Sequence, residues 1–198
     1  MAVKRATPGE VRSDFVPAAH GQLPAITDPC EAPPGHYWVH AYPHRGEQKP
    51  IRAGKWLLWL PCAYVADSWG PIRSAVEDGT LGLSAKISTE WGLTNDPAGP
   101  WTKHVVCVYT YDWRDRPDVL RVAEGLHHIG VVKKMTLSYK PDIFTRAGRY
   151  SGNSAGELTI YQCKPPYLEL TVKQANLDKA EAAARTEGIV SPIRPGTA

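Results

Sequence analysis

One lysine stands among small residues in the alternating segment LGLSAKIST, residues 81–89. Successive side chains of a β-strand point to opposite faces, so four apolar side chains are predicted to share one face: Leu81, Leu83, Ala85 and Ile87. The other face presents Lys86 between Ser84 and Ser88. These small neighbours leave room for an anion beside the ammonium, which suits a phosphate oxygen. A solvated lysine on a wet sheet face is the alternative.

The same alternation in three other predicted strands, residues 36–42, 54–60 and 134–140, extends this polar face. A solvent-exposed sheet face without a binding function normally carries charges of both signs. This face carries aromatic, hydroxyl and cationic groups without an acid. The pattern therefore favours a phosphate-binding surface. The side chains assigned to it are Trp38, His40, Tyr42, Lys55, Lys134, Thr136, Ser138 and Lys140.

Three further cations are candidates for phosphate binding. Lys103 begins the apolar segment 103–111, and Arg146 and Arg149 lie in a predicted loop, YKPDIFTRAGRY, where Gly148 permits a close approach. Paired arginines often hold phosphate or carboxylate groups in loops. Exposed cations without a ligand are the alternative.

Aromatic side chains could stack on the same ligand. Trp38 and Tyr42 belong to the polar face, while Trp91 and Trp101 bracket a Gly- and Pro-rich segment, EWGLTNDPAGPW, that could close as a lid. The alternative is that Trp91 and Trp101 anchor the two ends of this segment to the core.

A lysine and a histidine on one face could also catalyse β-elimination. Lysine would remove an α-proton and histidine would protonate a leaving phosphate. Lys86 and His40 are the candidate pair, and the alternative for His40 is a hydrogen bond within the sheet.

No metal ion or cofactor is predicted. The cysteines at positions 30, 62, 107 and 163 are far apart in the chain and form no Cys/His pair at zinc spacing. Cys62, Cys107 and Cys163 adjoin apolar runs, which indicates reduced, buried thiols.

The elements that must position these residues follow the order ββαββαβ(β)α. Apolar stripes predict helices over 67–79, capped by Asp67 or Ser68 and ended by Gly79, and over 115–129, capped by Asp115. Alternating strands have one apolar face, so the prediction is an α+β fold: a curved, mostly antiparallel sheet with the helices packed on one face.

The composition is that of one globular domain. The chain has 198 residues, of which 42% are hydrophobic and 22% charged. We expect a Pro-rich, extended or partly disordered arm over 1–35, one domain over 36–187 and a loose tail over 188–198. A net charge of +3 is too small for a non-specific nucleic-acid coat, and no DNA-binding motif is present. The absence of a signal peptide or apolar span predicts a cytoplasmic protein without a membrane partner.

Several blocks resemble the Bles protein family (basophilic leukaemia-expressed protein), which has no settled function. They are GKWLLWL, a helix with Trp69, LGLSAKIST, KHVVCVYTYDW…RVAEGLHHIG and LSYKPDIFTRAGRYSG, within residues 36–163. That family's fold is similar to the mRNA cap-binding translation initiation factor four-E. The resemblance implies that Lys55, Lys86 and Lys103 stand where the factor has cations facing the cap phosphates. The factor's Trp-Glu pair and its first sandwich tryptophan have no counterpart, so only the phosphate half of the site is retained.

The expected function is therefore binding of a phosphate-bearing ligand: a phosphorylated small molecule such as a nucleotide, an RNA end or a phosphopeptide. One alternative is a lyase acting on a phosphorylated Ser/Thr-type substrate, since some sequences of this type are described as phosphothreonine lyases. A second alternative is a protein-interaction module. The oligomeric state is left open.

Overall fold

A computed structural model describes residues 28–43, 52–96, 99–132, 134–149, 158–164 and 169–189. The described residues form seven strands: β1 (Trp38–Ala41), β2 (Gly54–Leu60), β3 (Ser84–Ser88), β4 (His104–Thr110), β5 (Leu137–Pro141), β6 (Tyr161–Cys163) and β7 (Leu170–Val172). They make one sheet in the order β1-β3-β4-β2-β5-β6-β7, in which every neighbouring pair is antiparallel.

Helices connect the strands. Those in the described residues are α1 (Val65–Glu77), α2 (Glu90–Asn95), α3 (Arg116–His128), α4 (Asp142–Arg146) and α5 (Gln174–Thr186), with a single 3-10 turn over Cys62–Tyr64. The α+β class predicted from the alternation is confirmed.

The helices α1, α3 and α5 cover one face of the sheet, the core face. Their apolar stripes join a single buried cluster with the strand residues of that face, including Trp56, Ile87 and Val106. The indole of Trp56 donates a hydrogen bond to the backbone oxygen of Val119, 2.8 Å away, which ties β2 to α3. The prediction that the first two long helices lie on the same side of the sheet is confirmed.

Helix boundaries follow the predicted signals in part. Asp115 caps α3 and accepts a hydrogen bond from the backbone of Asp118, and Gly79 follows α1 with a φ of 73°. The predicted cap of α1 at Asp67 or Ser68 is wrong. This helix begins at Val65 because the 3-10 turn leads directly into it.

Two short helices replace predicted loops. Thr89 starts α2 by accepting a hydrogen bond from the backbone N–H of Gly92 at 2.9 Å, and α4 follows β5 without an intervening loop. Helices of five or six residues complete fewer than two turns, so their apolar residues give almost no periodic signal.

The face predicted for Leu83 is also wrong. Strand β3 begins at Ser84, and Leu83 packs with Cys107 and Tyr109 on the sheet face opposite the core. The chain approaches β3 through residues 81–83, which lie outside the strand, so the alternation does not extend back to them.

The predicted arm and tail lie largely outside the described residues, since their described parts are 28–35 and 188–189. In these parts the backbone oxygen of Pro29 accepts a hydrogen bond from Glu90, and Ala32 and Ile189 pack against the core. None of the helices in the described residues is long and apolar enough to cross a membrane.

Candidate functional site

The sheet face opposite the core carries three lysines from three strands, and we call it the lysine face. It consists of Lys55, Lys86 and Lys140 and of the strand residues that point to the same side. By register and alternation these residues are Trp38, His40, Leu57, Trp59, Ser84, Ser88, Val105, Cys107, Tyr109, Ser138, Gln162 and Thr171.

The register brings the lysines near one another. Lys55 on β2 lies directly opposite Lys140 on β5, and on its other side it faces Tyr109 on β4. Lys86 on β3 lies opposite Cys107, so it is separated from Lys55 by the single strand β4. Adjacent strands are about 4.8 Å apart, which places Lys86 and Lys55 on strands about 10 Å apart.

Lys55 is held by groups at the start of α4. Its Nζ lies 2.9 Å from the Asp142 carboxylate and 3.1 Å from the Thr145 hydroxyl, and it stands 5.3 Å from the centre of the Tyr109 ring. Because α4 starts immediately after β5, Asp142 lies beside the lysine face, where its buried side chain pairs with the equally buried Lys55.

Lys86 lies over an aromatic ring. Its Nζ is 3.9 Å from the centre of the Trp38 ring, a cation–π distance. Directly opposite Lys86 on β1 stands His40, whose Nδ1 is 3.1 Å from the Tyr42 hydroxyl and whose ring stacks on that of Tyr42. Burial raises the pKa of Tyr42. The lysine and histidine paired in the sequence interpretation are therefore neighbours.

Lys140 is the most deeply buried of the three lysines. It is 4% exposed, and its Nζ donates a hydrogen bond to the backbone oxygen of Arg149 at 2.6 Å. Burial lowers the pKa of Lys140 to about 8. A measurable fraction of this amine is therefore neutral near physiological pH, which is unusual for lysine.

The central strands of this face, β2 to β5, lie within a stretch of sequence that matches a known protein family. A family model described as basophilic leukemia-expressed protein Bles03 matches residues 44–148, more than half of the chain. The chain belongs to the Bles03 family. The Bles03 match includes all three lysines and Asp142, whereas Trp38 and His40 lie outside it.

Other predicted phosphate ligands lie away from the lysines. Arg146, within the Bles03 match, ends α4 with its Nε 3.5 Å from the Glu187 carboxylate. Arg149, just beyond the match, has its guanidinium near the Phe144 ring, 5.9 Å from the ring centre. Lys103 is exposed and precedes β4. Arg149 contacts Lys140 through its backbone oxygen. The structure thus groups three of the six cations.

The two bracketing tryptophans take different positions. Trp91 lies on α2 and packs edge-on against Tyr37, with ring centres 4.7 Å apart. The ring centre of Trp101 lies 6.3 Å from that of Trp59, which belongs to the lysine face.

Two residues predicted for the polar face lie outside the strand that was to carry them. Lys134 and Thr136 precede β5 and are exposed.

Residues that the sequence interpretation missed also belong to this site. Trp59 and Tyr109 point to the lysine face, a position that alternation from Lys55 and a paired register would have given. Cys107 is buried on the same face and not in the main core. Asp142 had a weaker signal, as an acid directly following a strand.

Side chains able to ligate a metal ion meet elsewhere, at one end of the central strands. Cys62, Glu90 and His104 have ligand atoms within 4.8 Å of one another. Cys62 is exposed, not buried as its apolar flank suggested. No spacing rule indicated this group, because its members come from three separate segments.

Proposed function

We propose that this Bles03-family protein binds a phosphate-bearing ligand, such as a nucleotide, an RNA end or a phosphopeptide, on the lysine face. The observation that carries the proposal is the grouping of Lys55, Lys86 and Lys140 on adjacent parts of one face. The described strand residues of that face include no acid, and Asp142, which follows β5 beside the face, pairs with Lys55. Ammonium groups form strong, charge-assisted hydrogen bonds to phosphate oxygens.

Aromatic side chains favour a nucleotide or RNA end among these ligands. Trp59 and Trp101 lie beside each other at the end of the face where Trp38 contacts Lys86. Stacking of a base on an aromatic ring is worth about 1–3 kcal/mol and tolerates any base. The expected likeness to the cap-binding initiation factor, in which phosphates and a base are bound side by side, also favours a nucleotide or RNA end.

Binding of GTP, pyrophosphate and a phosphothreonine peptide, measured by titration calorimetry, tests the proposal. Lys86→Met removes the charge and keeps most of the side chain's bulk. We expect it to weaken binding of the preferred probe by about ten- to a hundredfold, the usual worth of a charge-assisted hydrogen bond. Lys86→Arg should retain much of the affinity, since Ser84 and Ser88 leave room for a guanidinium.

Lys134→Met is the matched control, because it removes the same charge from an exposed lysine outside the face. It should change affinity less than twofold. The proposal fails if none of the three probes binds, or if Lys86→Met and Lys134→Met weaken binding equally.

Elimination of phosphate is a second candidate function, favoured by the direct pairing of Lys86 with His40. A neutral lysine would take the α-proton of a phosphothreonine residue, and the electron pair would form the bond between the α- and β-carbons. The β-carbon–oxygen bond would break, and His40 would protonate the departing phosphate. Lys140 is a further candidate for the base, since its pKa of about 8 allows a neutral amine.

Mass spectrometry of a phosphothreonine peptide separates this reaction from hydrolysis. An eliminated product is lighter than the hydrolysed product by one water. For a lyase, Lys86→Arg should abolish product formation while binding persists, because arginine stays protonated near neutral pH. Release of phosphate with formation of threonine, or no release at all, would exclude the lyase.

A further inference from the structure

Three metal-ligating side chains converge at the end of the sheet where β2 and β3 finish and β4 begins. Cys62 opens the 3-10 turn after β2, Glu90 opens α2 after β3, and His104 is the first residue of β4. The register explains the convergence, since Leu60 at the end of β2 lies opposite His104 and β3 pairs with β4 on its other side. The chain therefore reaches His104 from both sides.

The imidazole of His104 is buried and oriented. Its side chain is 0% exposed, and its Nδ1 lies 2.6 Å from the backbone oxygen of Ser88. A carbonyl oxygen only accepts hydrogen bonds, so Nδ1 carries a proton and, in the neutral ring, Nε2 has the lone pair. A backbone carbonyl on one ring nitrogen and a metal on the other is the usual arrangement of a metal-bound histidine.

The other nitrogen lacks a hydrogen-bond partner. His104 Nε2 is buried without one among the described residues, and the Glu90 carboxylate oxygen, 3.6 Å away, is too far for a good hydrogen bond. An unsatisfied buried polar atom is destabilising, so nearly all such atoms have a partner. A cation between Nε2 and the carboxylate would satisfy both groups.

The distances suit a small tetrahedral ion. Ligands about 2.0–2.3 Å from a tetrahedral zinc ion are about 3.3–3.8 Å from one another. The Nε2–Oε2 distance of 3.6 Å falls in this range, whereas the Cys62 Sγ lies 4.0 Å from the same carboxylate oxygen and would have to move slightly closer on binding. Thiolate, imidazole and carboxylate are the ligand types that zinc takes in proteins.

Cys30 is the candidate for a fourth ligand from a neighbouring turn, although its Sγ is not among the three ligand atoms that lie within 4.8 Å of one another. The backbone oxygen of Pro29 accepts a hydrogen bond from Glu90 at 3.3 Å, so the turn before Cys30 lies against the start of α2. On coordination Cys30 would lose its proton, as metal-bound thiols do.

We propose that Cys62, Glu90 and His104 form a binding site for a divalent transition metal of the zinc class, with Cys30 as the fourth ligand. Four protein ligands leave no open position, which is typical of a structural site. The ion would join the turn at residues 28–30 to β2, α2 and β4. This inference is independent of the ligand proposed for the lysine face.

The full-length protein, reduced and stripped of metal with a chelator, tests the site by titration with Co²⁺ and then Zn²⁺. We expect one Co²⁺ per chain, the intense visible bands of tetrahedral cobalt and thiolate-to-cobalt charge transfer, all abolished when Zn²⁺ displaces it. Zn²⁺ should also raise the thermal midpoint, since it binds only the folded site. Absence of these bands at one equivalent would overturn the proposal.

Substitutions at the exposed ligands should not unfold the protein, so a loss of metal binding can be assigned to the site itself. Cys62→Ser and Glu90→Gln should each weaken Co²⁺ binding by at least about a hundredfold, more than the loss of an outer-shell partner. Glu124→Gln, an exposed carboxylate on α3, is the matched control and should bind as the wild type does. Equal binding by Glu90→Gln and Glu124→Gln would instead indicate that His104 and Glu90 form a simple ion pair.

Cys30→Ser decides the fourth ligand. If Cys30 coordinates the ion, this variant should lose about half of the charge-transfer intensity, because one of two thiolates is removed. Unchanged intensity in Cys30→Ser, with the bands lost in Cys62→Ser, would overturn the assignment of Cys30 as a ligand.

Discussion

The two faces of the sheet differ both in burial and in kind of side chain, since the core face is buried throughout and the lysine face is buried at its lysines but exposed at His40 and Trp59. Trp56, Ile87 and Val106 on the core face are fully buried under the helices, while Lys55 and Lys86 on the other face are each only 7% exposed. Burial of apolar area stabilises the fold by about 25 cal/mol per Å², whereas a buried ammonium costs several kcal/mol before its partners compensate. The core face therefore supplies stability, and the lysine face is retained at a cost, as functional surfaces often are.

Substitutions at two neighbouring residues of β3 give the sharpest test of the difference between the two faces. Ile87→Ala leaves a cavity on the core face and should lower the free energy of unfolding by about 2–5 kcal/mol. Lys86→Met, one residue away on the other face, removes a buried charge and keeps an apolar stem, so we expect a change below about 1 kcal/mol. Urea unfolding of both variants gives the two values. Equal losses would mean that the lysine face contributes to stability as the core does.

The pH dependence of stability tests the cost of the lysine face. Burial lowers the pKa of Lys140 from 10.5 to about 8 in the folded protein. Between these values the unfolded chain binds more protons than the folded one, so the free energy of unfolding rises with pH in this window. Below about pH 8 both states are protonated, and the full cost of burying the charge is present.

Lys140→Met lacks this titration and is the reference. From about pH 7 to about pH 9.5 the wild type should gain about 2 kcal/mol of stability relative to the variant. Burial raises the pKa values of Tyr139 and Tyr161, so these residues lower the free energy of unfolding at alkaline pH. This effect is present in both proteins and cancels when the difference between them is taken. A difference that does not change with pH would show that Lys140 keeps an ordinary pKa.

The contrast between the faces was largely predictable from the sequence. In β2 and β3 the period of two assigns Lys55 and Lys86 to one side and Trp56 and Ile87 to the other, as the register shows. Such patterns survive in any sheet because neighbouring side chains must point in opposite directions. The side of the sheet to which a residue points is therefore set by the local sequence, whereas its burial depends on the rest of the fold.

Sites built from residues at the ends of strands were not predictable from the sequence. Asp142 reaches Lys55 only because α4 follows β5 directly, and five helical residues carry almost no sequence signal. Cys62, Glu90 and His104 meet only through the order of the strands, in which β4 lies between β2 and β3. Long-range pairing of this kind is not encoded in any short motif.

Arg146 gives the smallest expected effect and marks the edge of the candidate site. As a loop residue it was predicted to hold phosphate together with Arg149, but its position at the end of α4 directs it toward Glu187 after α5. Both partners are more than a third exposed, so the ion pair should contribute less than about 1 kcal/mol. Arg146→Ala should therefore leave both stability and affinity for GTP or pyrophosphate nearly unchanged, in the same unfolding and calorimetric measurements. A tenfold loss of affinity would mean that Arg146 leaves Glu187 when ligand binds, and that the site extends from the lysine face to α4.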